Sequence, residues 1–227
     1  MYNLIIIIPS HNELNNLKKF INILNKKYNI LVLDDCSTDG SLDFLKKNSI
    51  PHITNKKNLG YEKNIIKGIN YLRSKKTCAK YIATLDADGE HPINKISQIY
   101  NFAIKKNCDL VICNRNIQNR SIEKIISKLF YLFFNLKDPL SGMKFYKSKK
   151  LFSSIYYTSS KYFLVDLVTT FYYKKKNIRN FEIKVKKNLN SQIGSGIKIQ
   201  KKLFKILLHI IKIKIFQSFS NNRKCMF

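Results

Sequence analysis

Tyr81-Ile82-Ala83-Thr84-Leu85-Asp86-Ala87-Asp88-Gly89-Glu90-His91-Pro92 runs from a short apolar, β-rich stretch straight into a carboxylate cluster. A second stretch has the same shape: Leu31-Val32-Leu33-Asp34-Asp35-Cys36-Ser37-Thr38-Asp39-Gly40. Short apolar runs that end in polar residues read as strands buried on both faces. In open α/β sheets the ligand crevice lies beyond the carboxyl ends of such strands. The chain has 14 acidic residues against 42 basic ones, so carboxylates gathered at that edge are conspicuous. They point to a divalent cation and a phosphorylated ligand.

The surrounding pattern extends this frame. Further strands are expected at residues 3–8, 52–55 and 109–114, alternating with helical periodicity over 13–27, 41–47, 61–74 and 93–106. Strands alternating with helices imply a mainly parallel sheet flanked by helices. After Asn114 the pattern changes. Residues 121–136 read as a helix with a wide aromatic surface, interrupted by Asp138-Pro139-Leu140-Ser141-Gly142. Strands are then expected at 143–146 and 181–187, with a helix at 162–173 between them. The tail, 200–219, mixes apolar residues with lysines, as a helix lying in a membrane interface or one docked on its own core would do. The organisation expected is a domain over 1–198 and a cationic amphipathic tail over 199–227.

Each polar strand end has a chemical and a structural reading. Pro9-Ser10-His11-Asn12-Glu13 follows the first strand; Asn12 can cap the next helix and Glu13 suits its positive end. The same loop can hold the base or ribose of a ligand. Asp34 and Asp35 can accept hydrogen bonds from a nucleobase and from ribose hydroxyls. Neighbours on a strand point to opposite faces, so at most one serves each partner. Asp86 and Asp88, two apart, fall on one side, and with water and a diphosphate they suit Mg²⁺ or Mn²⁺. Glu90 completes that set or binds a metal-bound water. His91 is a further ligand or a cap before Pro92.

Composition narrows the classes. A net charge of +28, carried mostly by Lys, is either compositional drift or attraction to a polyanion, and the scarcity of Arg leans away from nucleic acid. Five cysteines without a CxxC pair imply neither a disulfide framework nor a zinc site. No signal peptide and no full transmembrane span are expected.

The ordered segments resemble family 2 glycosyltransferases of the GT-A (Rossmann-like) fold. The resemblance rests on residues 6–13, 33–40 and 86–92, together with Asn58-Leu59-Gly60-Tyr61-Glu62-Lys63-Asn64 before the third helix. Asp138-Pro139-Leu140-Ser141-Gly142-Met143-Lys144 is similar to a segment of the dolichol-phosphate mannose synthase branch. The resemblance implies that Pro9, His11, Glu13, Asp34, Asp35, Asn58, Gly60, Asp86 and Arg115 bind the nucleotide sugar. It implies Asp86, Asp88 and Glu90 for the metal, and Asp88, Arg120 and Asp166 for catalysis, Asp166 as general base for a hydroxyl acceptor. Asp138, Ser141, Gly142 and Lys198 would form the acceptor side. Two departures stand out: Glu90 replaces the family's usual Gln, and residues 188–193 lack the expected Arg, so that Lys187 or Lys198 would take its place.

The activity so implied is metal-dependent, inverting transfer from a nucleotide sugar to a polyprenyl or dolichyl phosphate. The enzyme would be cytoplasmic and peripheral on the inner face of an anionic membrane, held by amphipathic interface helices, with a membrane-protein partner or a second copy. The alternatives are transfer to a saccharide hydroxyl in lipopolysaccharide or capsule synthesis, and a non-catalytic basic polyanion-binding protein.

Overall fold

Alternation along the strands sets the layering. In β1 (Leu4–Ser10) and β2 (Asn29–Asp34), Leu4, Ile6, Ile8, Ile30 and Val32 pack into one core cluster, while Ile7, Leu31 and Leu33 pack into another. Successive side chains point to opposite faces, so such strands are stable only with helices on both sides. The computed structural model describes residues 2–118, 121–159, 161–186 and 197–224, with side chains over 199–216 in the last stretch.

The remaining strands are β3 (His52–Thr54), β4 (Tyr81–Thr84), β5 (Leu110–Arg115), β6 (Lys144–Lys147) and β7 (Ile178–Ile183). They form one seven-stranded sheet in the order β3-β2-β1-β4-β6-β5-β7. β6 runs antiparallel to β4 and β5, and the other pairings are parallel. The chain winds outward from β1 to β3 and then returns to place β4 on the other side of β1. Loops leaving β1 and β4 diverge at this reversal, which opens a crevice between them. Because β6 is antiparallel, Lys144 pairs with Thr84, so the segment entering β6 reaches the same edge as the acidic loop.

Helices α1 (Leu14–Lys27), α2 (Ser41–Lys47) and α4 (Ile96–Lys105) cover one face. Helices α3 (Tyr61–Ser74), α5 (Ser121–Phe134), α6 (Ser148–Ser154), α7 (Phe163–Tyr173) and α8 (Ile197–Lys224) cover the other. Two sequence expectations change and one helix is added. The 93–106 helix opens with a separate 3₁₀ turn, Ile93–Lys95. The last strand is Ile178–Ile183 rather than 181–187, because its pairing with β5 runs from Leu110–Ile178 to Arg115–Ile183. Helix α6, which begins Ser148-Lys149-Lys150 and buries Leu151 in the core, carries too little periodic signal to be read in advance.

The tail docks on the domain. α8 buries Leu203, Ile206 and Ile210, at roughly 1.5–3 kcal/mol each. Polar contacts fix its register: Lys202 Nζ lies 3.7 Å from Glu62 of α3, and His209 Nε2 lies 2.6 Å from Asp166 of α7. Its outward side keeps Phe204, Leu208, Ile215 and Phe216 exposed beside Lys201, Lys205 and Lys212. In α5 the aromatics Phe130 and Phe134 turn into the core, leaving Ile125, Tyr131 and Leu132 exposed. Among the described residues, no helix is long and apolar enough to cross a membrane.

Candidate active site

The loops after β1, β2 and β4 meet at one cleft of about 290 Å³. The first contributes Pro9, Ser10, His11 and Glu13; the second contributes Asp35, with Asn58 and Gly60 from the loop after β3 and Tyr61 and Asn64 from the start of α3. Asp86, Ala87 and Asp88 close it. Eight of the residues singled out from sequence are thus brought together: Pro9, His11, Glu13, Asp35, Asn58, Gly60, Asp86 and Asp88.

Asp35 organises the nucleoside side of the cleft. Its Oδ1 accepts hydrogen bonds from Asn55 Nδ2 (2.7 Å) and Leu59 N–H (2.8 Å), and its Oδ2 accepts from Gly60 N–H (2.9 Å). Asn55 is in turn held by Asn64 Oδ1 at 2.9 Å, and Asn64 donates to the Leu33 carbonyl. The carboxylate therefore shapes the Asn58–Gly60 loop, with acceptor capacity left over for a ligand. His11 Nδ1 donates to the Asp35 carbonyl at 2.9 Å, which leaves Nε2 as acceptor in the neutral ring. Asp34 shares the parity of Ile30 and Val32 and is fully buried, and among the described residues neither of its carboxylate oxygens has a hydrogen-bond partner. It does not line the cleft; strand alternation divides the acidic pair.

The helix starts are capped from an unexpected place. Glu13, the N-cap residue of α1, makes no side-chain cap hydrogen bond. Asp39 supplies the acceptor across the loops: its Oδ2 accepts from Leu14 N–H (2.9 Å), and its Oδ1 accepts from Ser41 N–H (2.9 Å). Asn12 instead accepts from Thr38 N–H at 2.8 Å and ties the first two loops together.

The acidic loop is tightly supported. Tyr61 Oη donates to Asp86 Oδ1 at 2.6 Å, and burial, with Asp86 adding to it, pushes the phenol pKa well up, so it remains a donor. His91 is a cap rather than a ready ligand: its Nδ1 accepts Asp86 N–H at 3.2 Å, and burial lowers its pKa. Gly89, at φ +76°, lets Glu90 N–H return to Asp88 Oδ1 at 2.9 Å. Burial raises the Asp88 pKa to about 7, and the Asp86, Glu90 and Glu13 carboxylates add to it. Glu13 is likewise raised, first by burial and then by Asp39 and Asp86.

Asp86 and Asp88, side by side in this cleft, offer the hard carboxylate oxygens that suit a divalent cation. Among the described residues, no group of three or more His, Cys, Asp or Glu side chains comes together as a metal-binding cluster, so the Asp86 and Asp88 pair is an open set. An open set fits Mg²⁺ or Mn²⁺, which draw their remaining ligands from water and a bound diphosphate.

Other predicted residues have different neighbours. The Arg115 guanidinium forks onto Asp138, with Nε–Oδ2 and Nη2–Oδ1 both at 2.9 Å, and does not line the cleft. Asp138 also accepts Arg115 N–H, and the Ser141 hydroxyl donates to the Cys113 carbonyl at 2.6 Å. Asp138, Ser141 and Gly142 are buried and brace the site from below. Glu90 faces a second cleft of about 480 Å³, which adjoins the first at Asp88. Asp166 lines a third cavity, with Oδ1 on His209 and Oδ2 accepting Ser159 N–H at 2.9 Å. Arg120, Lys187 and the side chain of Lys198 lie outside the described residues.

Tyr61, Asn55, Asn64, His209 and the fully buried Lys144 were not singled out in the sequence. Tyr61 and Asn64 sit inside the recognised 58–64 segment, where the polar spacing is a usable signal. Lys144 closes the quoted 138–144 segment, where nothing in the spacing marks it as buried, and His209 lies in a stretch whose lysine and isoleucine content hides it.

The sequence matches the model of the family described as Glycosyl transferase family 2 over residues 5–191. No match is found among curated proteins. Among solved structures, glucosyl-3-phosphoglycerate synthase from Mycobacterium tuberculosis, with Mn²⁺, UDP and glucosyl-3-phosphoglycerate, superposes at a TM-score of 0.72 and 12% identity, covering 93% of this chain and 79% of that one. The same enzyme with Mn²⁺, UDP-glucose and phosphoglyceric acid gives 0.71 and 12%, covering 92% and 78%. At that identity the likeness establishes the fold.

Proposed function

The chain belongs to glycosyl transferase family 2, and on that premise we propose that it transfers a sugar from a nucleotide-sugar donor to a polyprenyl phosphate at a membrane surface. The observation that carries the donor half is the single cleft joining the Asp35-organised loop to Asp86 and Asp88. Asp35, His11 and the backbone around Asn58 and Gly60 suit a nucleoside. Asp86 and Asp88 suit Mg²⁺ or Mn²⁺, which when bound neutralises the leaving diphosphate. Tyr61 and Gly142 fix the direction of the Asp86 carboxylate, which is pre-organisation of the kind that positions reactants.

The acceptor half rests on proton bookkeeping. A saccharide hydroxyl needs a general base within hydrogen-bond reach. Asp166, the family-position candidate, lines another cavity and has both oxygens engaged, by His209 and Ser159. A phosphate oxygen is already anionic and needs no base. The membrane assignment is supported by the exposed residues of α8, Phe204, Leu208 and Ile215, alongside Lys201, Lys205 and Lys212. Each basic group near an anionic leaflet contributes about 1 kcal/mol. The carboxylate cleft speaks against a purely polyanion-binding protein, because such an edge repels phosphate unless a cation is present.

The test pairs a donor panel with polyprenyl phosphate and Mn²⁺ and scores glycolipid, using the parent and Asp166→Asn. Near-parent turnover in the variant is expected. A fall of ~10²-fold or more with the fold intact would restore Asp166 as a base and move the acceptor to a saccharide hydroxyl.

A further inference from the structure

The second cleft, about 480 Å³, meets the first at Asp88 and is larger than it. On one wall α1 presents Lys19; on the other, the extended segment after β7 presents Lys184 and Lys186. Residues two apart on an extended segment project to the same side, so Lys184 and Lys186 act together. That segment is fixed beside the acidic loop: Lys186 N–H donates to the Glu90 carbonyl at 3.0 Å, and Val185 N–H donates to Asn116 Oδ1 at 3.0 Å. Among the described residues none of the three ammonium groups has a carboxylate within ion-pair distance.

Lysines are abundant on this chain, but these three converge from two separate elements on one concavity. They also do so beside the carboxylate proposed to hold the cation on the donor diphosphate. Unpaired ammonium groups lining a concave surface focus an anion there. The reaction leaves one anion still to be placed, the acceptor's.

We propose that this cleft is the acceptor subsite and takes a phosphomonoester, whose phosphate is held by Lys19, Lys184 and Lys186. The assignment rests on the glycosyltransferase reading above. In the step, an acceptor phosphate oxygen forms a bond to the anomeric carbon, and the bond from that carbon to the donor diphosphate breaks, the electron pair leaving on the diphosphate. No proton or further reactant is required. The lysines would offset the repulsion between the incoming phosphate and the Asp88 and Glu90 carboxylates, in addition to the cation proposed for Asp88.

The experiment compares the full chain with two triple variants of equal charge loss. One is Lys19→Met/Lys184→Met/Lys186→Met; the other removes exposed lysines elsewhere, Lys46→Met/Lys47→Met/Lys105→Met. UDP and GDP binding with Mn²⁺ is measured first by calorimetry; absence of any nucleotide binding to the parent would fail the glycosyltransferase reading itself. Phosphomonoester binding is measured separately, with glycerol 3-phosphate in solution and undecaprenyl phosphate in neutral phosphatidylcholine vesicles. The cleft triple is expected to weaken the phosphomonoester at least tenfold and to leave nucleotide affinity within twofold. Loss in the soluble arm alone, or in the vesicle arm alone, identifies the natural source of the phosphate. Equal weakening by both triples, or loss of nucleotide affinity in the cleft triple, would overturn the assignment.

Discussion

Substituting Gly142 with Ala should disable the Asp86 carboxylate without replacing any residue proposed to hold the metal. A Cβ at Gly142 would lie 2.0 Å from Asp86 Oδ2, 2.3 Å from Oδ1 and 2.4 Å from Cγ. An ordinary contact begins near 3.4 Å, so the carboxylate must move by about 1 Å or more. Movement is resisted on the other side by the 2.6 Å bond from Tyr61 and below by the Gly142 carbonyl, which accepts from Thr84 Oγ1 at 2.6 Å. Misplacing a reacting group by that distance costs ~10²-fold, or about 2.7 kcal/mol. The assay is kcat/KM for sugar transfer across a Mn²⁺ titration, alongside Tm. The expected result is a ~10²-fold loss with a raised metal requirement. Tyr61→Phe removes one hydrogen bond to a carboxylate and should cost about 1.5–3 kcal/mol of the same quantity. If Gly142→Ala stays within threefold of the parent at every Mn²⁺ concentration, the close approach has no bearing on metal binding and the reasoning fails.

Other outcomes follow from the same geometry. Asp39→Ala strips a side-chain acceptor from the starts of both α1 and α2, so a loss of about 1–3 kcal/mol is expected in urea denaturation. The Asp39 pKa is lowered, because burial, which alone would raise it, is outweighed by hydrogen bonds from Ser41 and Leu14. Its contribution is accordingly present above the ordinary carboxyl range and lost as pH falls below it, which a Tm series against pH in parent and variant would register. Asp138→Asn removes the forked partner of the half-buried Arg115 guanidinium and leaves it only Glu123 at 3.4 Å, so the loss should fall below the ~3–5 kcal/mol of a fully orphaned buried charge, read as a fall in urea midpoint at unchanged m-value. Cation binding must displace a proton from Asp88, whose pKa is raised to about 7. Mn²⁺ affinity should therefore climb as pH rises to about 7 and level off above, with proton release in calorimetry at pH 6 and little at pH 8.5. The raised value also means that the metal-free protein loses stability as pH climbs from the carboxyl range through 7, and that added Mn²⁺ reverses the loss.

Local pattern carried the fold well, and long-range pairing decided what it missed. Apolar runs such as Leu4–Ile8 and Ile30–Leu33 are readable as doubly covered strands because their burial depends on their own composition. The parity argument that separates Asp34 from Asp35 is also local: both are buried, but Asp35 lines the cleft, while the Asp34 oxygens have no hydrogen-bond partner among the described residues. Arg115 is the opposite case. Its role depends on Asp138, 23 residues away, and on the antiparallel entry of β6 that brings Asp138 under the same edge. Nothing in the spacing of either residue says that their charges meet. Asp166 was placed by family position, but its surroundings are set by α8, whose docked face cannot be told from an interfacial face by composition.

The Asp138–Gly142 segment illustrates how charge beneath a site differs from charge within it. Lys144 is fully buried, its Nζ donates to the Ser141 carbonyl, and burial lowers its pKa to about 8 while Asp138 and Asp86 hold it up. Arg115 is half-buried and committed to Asp138, with Glu123 at 3.4 Å. Both cations act on Asp86 through space, yet neither hydrogen-bonds to it, because the Ser141–Gly142 backbone is interposed. Among the described contacts, the Asp86 oxygens therefore accept only the Tyr61 phenol as a hydrogen bond, with His91 Nε2 at 3.7 Å. A direct Lys144–Asp86 pair would occupy the lone pairs that a metal needs. The interposed glycine gives the acidic edge a positive floor and still leaves its carboxylate open to a cation. That is why a segment resembling an acceptor motif is buried here and yet bears on the donor side.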